Sequence, residues 1–444
     1  MKKSSFFLSL FIIISVSSGC SSNNKQNLPD AAEADAGEEF APGDLNDSGN
    51  VTDGDISVGD SSVQEESGGD SPEEASDQSG EDSGGCSSQP PADPRPAFCQ
   101  KWTCVQAAPP VCWSCEHQPT LEGSACSGEG YFGVCRQGNC QPLADPGQSG
   151  QHQVDKLSLK VPAGTRPDSV EVPLEVYLPK DLDNTPVVVL GHGFQLDPGL
   201  YASYGQHLAS WGYAGVIVKY SGSPLSPRVH RLLAVDLMAV LDWLVAQASS
   251  GGQLAGKIDP GKILLAGHSM GGKIAMLVAA SDRRPWGVFG IDPVDAGGGP
   301  FGGDPVDYPS VTPELMGNIQ VPLLILGETV NATCSGFGCQ ACAPEEENFH
   351  QYYLHAVTPA CEVELVGADH MDFIDNPDCG LVCNFCPEGP ADHQKVKLWT
   401  RRMLVAWLQV ELALEDAYRV YIDGAAAIQA QNEGLIKFQC KNGF

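Results

Sequence analysis

The chain has 444 residues and a formal net charge of −31. This length allows one large domain with additional segments. The acidic excess argues against a nucleic-acid partner, because binding to a phosphate backbone needs clustered positive charge.

The first residues have the pattern of an export signal. Lys2 and Lys3 precede an apolar run over residues 6–16, which is too short to cross a bilayer but fits a secretory signal peptide. The run is followed by Ser-Ser-Gly-Cys20, which resembles the bacterial lipobox, in which the cysteine is lipidated and becomes the new N-terminus. We therefore expect a signal peptide over residues 1–19, a lipid anchor on Cys20, and attachment to the bacterial outer membrane or cell surface. Without the lipid, the protein would be secreted.

Residues 20–85 are predicted to form a disordered acidic linker. Between residues 21 and 85 there are 18 Asp or Glu residues and one Lys, with almost no aromatic residues. Such a segment cannot bury enough apolar surface to offset the entropy of ordering. The run from Asp44 to Asp55 has the ligand spacing of an EF-hand loop. Because no helical pattern flanks it, we favour chance spacing and predict no metal site.

The cysteines that follow Cys20 fall into two sets of eight, and none lies between the sets. The first set is Cys86, Cys99, Cys104, Cys112, Cys115, Cys126, Cys135 and Cys140. The second set is Cys334, Cys339, Cys342, Cys361, Cys379, Cys383, Cys386 and Cys440. Two even sets in an exported protein predict two disulfide frameworks, although the sequence does not give the pairing.

The alternative for the close pairs is a zinc site. Three such pairs are present, Cys112/Cys115, Cys339/Cys342 and Cys383/Cys386, and each could be half of one. An oxidising compartment favours disulfides. The first set defines a small Cys-rich module over residues 86–142, which needs its bridges because it lacks the apolar mass for a core.

Residues 154–410 have the composition of a globular α/β domain. Strands are predicted at residues 170–178, 186–190, 213–220, 262–266, 286–291, 321–326 and 361–366, of which the last is expected to end the sheet. Helices are predicted at residues 231–245, 273–279 and 397–408. This alternation predicts an α/β fold with a doubly wound, mostly parallel sheet. Residues 411–444 are expected to form a C-terminal extension tied by Cys440.

The most informative motif is Gly267-His268-Ser269-Met270-Gly271. It has the form G-x-S-x-G and stands between a predicted strand and a predicted helix, which is the context of a nucleophile elbow. The glycines leave room for the tight turn. The motif predicts that the Ser269 hydroxyl is a catalytic nucleophile.

A serine nucleophile needs a base and a carboxylate that orients it. His370 follows the last predicted strand, with Asp369 and Asp372 beside it, and is our choice for the base. The other candidates are weaker: His268 is expected to pack beside the turn, His192 to shape its loop, His350 and His355 to lie on a helix or loop, and His393 to lie in a loop. For the acid, Asp292 is closest to a strand end, with Asp295 and then Glu328 as alternatives.

The oxyanion hole needs two N–H donors. One should come from Met270, the residue after the nucleophile, and the second from the loop after an early strand. The loop Gly191-His192-Gly193-Phe194 makes the Phe194 N–H the expected second donor. The apolar side chains of Phe194, Met270 and Met371 are expected to contact a hydrophobic acyl or alcohol group.

Several motifs in one order resemble the chlorophyllase branch of the α/β-hydrolases, over about residues 165–410. They are Leu190-Gly-His-Gly-Phe194, the elbow with Lys273 after it, Gly290-Ile-Asp-Pro-Val-Asp295, Cys342-Ala-Pro344, Asn348-Phe-His350 and Asp369-His370-Met-Asp372. The resemblance implies a Ser-His-Asp esterase with Ser269 and His370 as nucleophile and base, and favours Asp292 or Asp295 over Glu328. Met270 stands where plant chlorophyllases carry Arg, and the Gly-His-Ser-Met-Gly-Gly run is similar to bacterial cutinases and polyester hydrolases.

The sequence therefore predicts an exported serine ester hydrolase of EC 3.1.1 type. It is expected to act without cofactor or metal on small-molecule, lipid or polyester esters. The alternative is a surface binding or adhesion lipoprotein in which the hydrolase fold is vestigial, and a third possibility is a peptidase on the same fold. The sequence leaves the natural substrate, the ligand of the Cys-rich module and the oligomeric state open.

Overall fold

A computed structural model describes residue 89 and residues 99–108, 112–119, 123–128, 131–223, 226–297, 303–334, 341–380 and 383–444. The predicted signal peptide, the lipid-bearing Cys20, the acidic linker and the EF-hand-like run lie outside these residues. Within the described part of the chain, no helix combines the length and the apolar character that crossing a membrane requires.

The described part of the Cys-rich module consists of short antiparallel strands. Strands β1 (Gln100–Gln106) and β2 (Trp113–Pro119) pair as a two-stranded sheet, and β3 (Ala125–Gly128), β4 (Tyr131–Arg136) and β5 (Asn139–Pro142) form a three-stranded sheet. Disulfides join Cys99 to Cys135, Cys104 to Cys115, and Cys126 to Cys140. Covalent bridges thus supply the stability that a core this small cannot give.

A nine-stranded sheet forms the centre of the following domain. Its strands are β6 (Val154–Val161), β7 (Val172–Pro179), β8 (Thr185–Gly191), β9 (Ala214–Val218), β12 (Ile258–His268), β13 (Pro285–Ile291), β14 (Leu323–Glu328), β15 (Ala360–Leu365) and β16 (Ile436–Lys441). A two-residue ladder of β10 (Gly222–Ser223) and β11 (Ser226–Pro227) stands apart. The long apolar runs form the central strands because both faces of those strands are buried.

The strand order is β16-β15-β14-β13-β12-β8-β9-β7-β6. The six strands from β15 to β9 are parallel. At the edges, β16 pairs antiparallel with β15, β7 pairs antiparallel with β9, and β6 pairs antiparallel with β7. The sheet is therefore mostly parallel, as the sequence predicts, and the carboxyl ends of β12, β13, β14 and β15 meet along one edge.

Helices cover both faces of the sheet. They are α1 (Ala202–Ser210), α2 (His230–Ala248), α3 (Met270–Ala279), α4 (Phe349–His355), α5 (His393–Glu411) and α6 (Ala425–Asn432). Short 3-10 helices lie at Pro198–Tyr201, Met316–Asn318, Cys383–Phe385 and Asp416–Tyr421. One core packs α2, α3 and α4 against the sheet, and the other packs α1, α5 and α6. Alternate residues of β8 enter the two cores, Val187 on one face and Val188 on the other.

The C-terminal segment differs from the sequence expectation. The sequence predicts that the strand at residues 361–366 ends the sheet, but β16 pairs antiparallel with β15 from Ala360 opposite Lys441 to Leu365 opposite Ile436. Residues 411–444 are thus not merely tied to the domain by Cys440, because they supply the edge strand of its sheet. An edge strand alternates buried and exposed positions and is too polar to resemble the apolar central strands.

The late cysteines also pair among themselves. Disulfides join Cys342 to Cys386, Cys361 to Cys440, and Cys379 to Cys383. Cys112 and Cys334 are disulfide-bonded as well. Disulfides are therefore present, as predicted, and the sulfurs of Cys115, Cys383 and Cys386 are used in bridges rather than as zinc ligands.

Candidate active site

The Ser269 elbow is a strained turn between β12 and α3. Ser269 has φ 54° and ψ −122°, a left-handed backbone conformation that is costly for a residue with a side chain. A Cβ on Gly267 would lie 2.2 Å from the Gly271 backbone, and a Cβ on Gly271 would lie 2.2 Å from the carbonyl oxygen of Gly191. Only glycine allows this approach, so packing forces the turn and leaves the Ser269 side chain half-buried at its tip.

His370 and Asp292 lie in direct contact near the same edge of the sheet. The Nδ1 atom of His370 is 2.5 Å from Oδ2 of Asp292, and both side chains are buried. Burial raises the pKa of Asp292, and the adjacent imidazole opposes this by favouring the carboxylate. The contact leaves Nε2 as the ring nitrogen of His370 that can accept a proton from another group.

The sheet register brings these residues together. The N–H of Ser269 donates to the carbonyl of Ile291 at 3.0 Å, and the N–H of Asp292 donates to the carbonyl of Leu326 at 2.8 Å. Residues at the ends of β12, β13 and β14 are therefore hydrogen-bonded side by side. The imidazole of His370 lies close to these strand ends, because its ring centroid is 4.7 Å from that of His268, the residue before Ser269.

Two buried side chains hold the backbone of His370. The carbonyl oxygen of His370 is 2.9 Å from Nε2 of His268, and its N–H donates to Oδ1 of Asn331 at 2.8 Å. Burial lowers the pKa of His268 well below its usual range, so the ring is neutral. Its Nδ1 lies 2.7 Å from the Tyr201 hydroxyl. His268 thus packs beside the turn, as expected, and also contacts the loop of the candidate base.

Asn331 and Tyr201 carry no motif that would have singled them out from the sequence. Asn331 lies three residues beyond the end of β14, and its position after a strand end was the only available signal. Tyr201 accepts a hydrogen bond from the Gly193 N–H at 3.0 Å. It therefore connects the loop after β8 to His268.

The loop after β8 carries the expected second oxyanion donor. His192 is buried, its Nδ1 is 2.7 Å from the carbonyl oxygen of Gly193, and its Nε2 accepts the Tyr220 N–H at 3.1 Å. His192 thus shapes this loop, as the sequence predicts. Met270 is the first residue of α3, so its N–H has no acceptor within the helix. Phe194 and Met270, whose N–H groups are the two expected oxyanion donors, line the same cavity.

That cavity has a volume of about 220 Å³ and lies beside the elbow. Its apolar lining includes Phe194, Leu196, Pro198, Leu233 and Met270. The Phe194 side chain is 46% exposed, so it stands at the opening rather than in the core. Met371, expected to contact substrate, is instead buried in the core on the α1 and α5 face and is not part of this lining.

A larger cavity of about 540 Å³ lies between the Cys-rich module and the sheet domain. Its walls include Arg136, Gln141, Trp211, Glu415 and Tyr418. None of the candidate catalytic residues lines it. The larger volume of this cavity does not identify it as the reaction site, because the candidate catalytic side chains lie elsewhere.

The two alternative acids have other partners. Asp295 is 3.0 Å from Nζ of Lys273 and accepts hydrogen bonds from the backbone N–H groups of Val311 and Thr312. Oε2 of Glu328 accepts the N–H groups of Val330 and Asn331. Neither carboxylate is hydrogen-bonded to His370, so Asp292 is the one of the three candidate acids that contacts this imidazole.

The remaining histidine candidates lie on helices α4 and α5. Nδ1 of His350 lies 2.8 Å from Oε2 of Glu362, and both His350 and His355 lie on α4. The expectation of a loop position for His393 is wrong. His393 is the first residue of α5, because Asp392 before it accepts the Lys395 N–H and caps the helix.

Comparison with known proteins gives one family by two routes. A sequence model of the family described as Chlorophyllase matches residues 146–429. Chlorophyllase-2 of Arabidopsis thaliana is 25% identical to this chain in an alignment of 269 residues that covers 56% of this chain and 80% of the plant protein. The matched span includes Ser269, Asp292 and His370. It excludes the Cys-rich module and strand β16.

Proposed function

The chain belongs to the chlorophyllase family of α/β-hydrolases, and on that premise we propose that it is a serine carboxylic ester hydrolase. The family and the distant plant relative support a hydrolase of the chlorophyllase and esterase kind. The observation that carries the finer proposal is the 2.5 Å contact of His370 with Asp292 beside the strained elbow of Ser269. A fold alone does not fix an activity, so the argument depends on these groups.

The reaction has two steps. The Ser269 hydroxyl attacks the ester carbonyl while Nε2 of His370 takes the hydroxyl proton, and the proton then passes to the leaving alcohol. Water attacks the acyl-enzyme in the same way, loses a proton to His370, and releases the carboxylic acid with the serine restored. Asp292 accepts the Nδ1–H throughout and stabilises the imidazolium. No metal or organic cofactor enters either step.

The N–H groups of Phe194 and Met270 stabilise the negative charge that develops on the carbonyl oxygen. The position of Met270 at the N-terminus of α3 supports this role, because the first N–H groups of a helix have no intrahelical acceptor and attract negative charge. The hydrogen bond from Gly193 to the Tyr201 hydroxyl supports it for Phe194, because it holds the loop beside the elbow.

The acyl or alcohol group of the substrate is hydrophobic and of limited size. The cavity of about 220 Å³ and its lining by Phe194, Leu196 and Met270 support this choice. Water released from such a lining favours the binding of an apolar group. Small-molecule, lipid and polyester esters can all carry such an apolar group. The series of p-nitrophenyl esters described below separates short from long acyl groups.

The enzyme is exported and anchored by a lipid on Cys20, at the outer membrane or cell surface. The support is the signal-like N-terminus and its terminal cysteine, together with the many disulfides, which persist in oxidising compartments. Incorporation of labelled palmitate in a bacterial host, lost on Cys20→Ser, tests this placement. Equal labelling of the two chains would refute it.

The function is tested with p-nitrophenyl esters from acetyl to palmitoyl, using the oxidised protein without its first 20 residues. Wild type should turn over, with an optimum set by the cavity, and Ser269→Ala should be inactive at unchanged thermal stability. A fluorophosphonate probe should label wild type only. A folded wild type that neither turns over nor is labelled would favour the binding-lipoprotein alternative, and faster turnover of matched amides would favour a peptidase.

A further inference from the structure

We propose that Asn331 is a positioning residue that fixes the backbone of His370, and that the Cys342–Cys386 disulfide acts on the reaction through Asn331. The inference rests on the proposed function, because it concerns the base of that reaction. It adds a residue and a covalent bridge that touch neither substrate nor reacting atoms.

The side chain of Asn331 is fully buried and both of its polar atoms are used. Oδ1 accepts the His370 N–H at 2.8 Å, and Nδ2 donates to the carbonyl oxygen of Pro387 at 2.7 Å. A buried amide that satisfies a backbone N–H on one side and a backbone carbonyl on the other has one favourable orientation, because a flipped amide would leave both unsatisfied. The amide therefore fixes the distance between His370 and Pro387.

The backbone of Asn331 is held as firmly as its side chain. Its N–H donates to Oε2 of Glu328 at 2.7 Å, and its carbonyl accepts the N–H of Ala343 at 3.2 Å. Glu328 is itself the last residue of β14. Asn331 is thus anchored to the rigid sheet while it contacts His370. The position of the candidate base is therefore fixed relative to β14.

The disulfide joins the two segments that Asn331 contacts. Ala343 directly follows Cys342, and Pro387 directly follows Cys386. The bridge therefore fixes the Pro387 carbonyl, which accepts from the Asn331 side chain, relative to the Ala343 N–H, which donates to the Asn331 carbonyl. Without the bridge, the segment with Pro387 can move away, and the Asn331 amide loses the partner that sets its orientation.

The effect on the reaction follows from how His370 is held. Its N–H is bonded to Asn331 and its carbonyl to Nε2 of His268, so both peptide groups that flank its Cα are fixed. These two contacts set the direction of the Cα–Cβ bond and hence the place of the imidazole. A shift of about 1 Å in a catalytic group can lower a rate by about 100-fold.

The chain offers a matched control in Asn348. It is also a buried asparagine, its side chain accepts the His350 N–H at 3.1 Å and donates to the carbonyl of Ala343 at 3.4 Å, and it makes no described contact with His370. Replacing either asparagine by alanine removes two hydrogen bonds from a side chain to backbone groups, one buried and one partly buried. The two alanine variants should therefore lose comparable stability, and only the Asn331 variant should lose rate.

The first experiment measures kcat, KM and thermal stability for Asn331→Ala, Asn331→Asp and Asn348→Ala on one p-nitrophenyl ester at plateau pH. We expect kcat of Asn331→Ala to fall about 10- to 100-fold with KM within about threefold, and kcat of Asn348→Ala to stay near wild type. Aspartate keeps an acceptor for the His370 N–H but adds a buried charge. Asn331→Asp should therefore be faster than Asn331→Ala although less stable.

This inverted order separates positioning from a structural role, in which rate and stability would fall together. Equal kcat for wild type and a folded Asn331→Ala would overturn the proposal, as would a loss in Asn348→Ala that matches it. A wild type that does not turn over or react with the fluorophosphonate probe is a different result, because it rejects the proposed function itself.

The second experiment tests the bridge with a double-mutant cycle. Cys342→Ala/Cys386→Ala should lower kcat in the wild-type background by a factor similar to that of Asn331→Ala. In the Asn331→Ala background it should lower kcat little further, because residues that act as one unit are not additive. Multiplicative losses would show that the bridge acts independently of Asn331 and would refute that part of the proposal.

Discussion

The Nζ atom of Lys273 lies 3.0 Å from Oδ1 of Asp295, and both side chains are shielded from solvent. Lys273 stands in the first turn of α3, directly after the elbow, and Nζ also donates to the carbonyl of Ala296 at 2.9 Å. The pair therefore ties the nucleophile helix to the loop after β13. Asp295 is a structural partner of this helix, although it is only three residues from Asp292.

Replacing Asp295 by asparagine should lower stability more than rate. The substitution leaves the Lys273 charge buried without its counter-charge, which typically costs about 3–5 kcal/mol. We expect a clear fall in the urea midpoint and a kcat within about tenfold for the molecules that remain folded. A loss of kcat near that of a triad variant, at unchanged stability, would instead make Asp295 the acid.

Replacing Asp292 by asparagine should give the opposite result. The amide cannot stabilise the imidazolium, and its NH₂ group favours the wrong tautomer of His370, so kcat should fall by about 10⁴-fold. Stability should change little, because the shape is kept and a buried charge is removed. Kinetics and urea unfolding of the two variants, side by side, decide which aspartate is the acid.

Glu328→Gln should change how stability depends on pH. Burial, with Asp292 nearby, raises the pKa of Glu328 to about 8, from a usual value of 4.5. Between these values the folded chain holds a proton that the unfolded chain releases, so stability falls as pH rises through this window. Glutamine resembles the protonated carboxyl and does not titrate. The variant should lose less stability than wild type between pH 5 and pH 8.

Urea unfolding of both chains at pH 5, 6.5 and 8 measures this difference. The gap in unfolding free energy should move in favour of the variant as pH rises. Parallel curves for the two chains would mean that Glu328 does not titrate in this window in the folded protein.

Removing the Cys361–Cys440 bridge should destabilise the sheet edge while leaving the chemistry intact. The bridge closes a segment with a sequence separation of 79, for which loop entropy predicts about 4.5 kcal/mol. The Cys379–Cys383 bridge spans only 4 residues, for which the same relation gives about 2 kcal/mol. Chemical unfolding of the two double-alanine variants should therefore rank them in this order, with kcat of the folded Cys361→Ala/Cys440→Ala variant near wild type. The reverse ranking would contradict the prediction.

The central sheet could be predicted because buried parallel strands are continuous apolar runs. The predicted strand at residues 186–190, for example, falls within β8 (Thr185–Gly191). Strand β16 could not be found in this way, because only Ile436 among its residues is fully buried and it carries two lysines among six residues. His393 is predicted to lie in a loop because the apolar helical pattern begins only at residue 397, although Asp392 is a favourable capping residue and α5 begins at His393.

The site could be predicted in part for a similar reason. The elbow has a local sequence signature, and His370 and Asp292 each follow a strand, so the edge at which they meet follows from the fold. The choice between Asp292 and Asp295 depends on where each side chain points, which no local pattern encodes. Asn331 was missed because its role lies in one amide contacting two distant backbone groups.

The close contacts of Gly191, Gly267 and Gly271 have a consequence for how this family can change over time. Gly267 and Gly271 are required by backbone contact alone, because a Cβ on either would meet the backbone of Gly271 or Gly191, whether or not the turn between them bears a reactive group. A descendant that lost its activity would be free to vary at Ser269 but would still be selected for the flanking glycines, since a side chain there would disrupt the sheet. Across distant sequences, we therefore expect the flanking glycines to indicate common descent. The residue between them indicates whether the catalytic activity is kept.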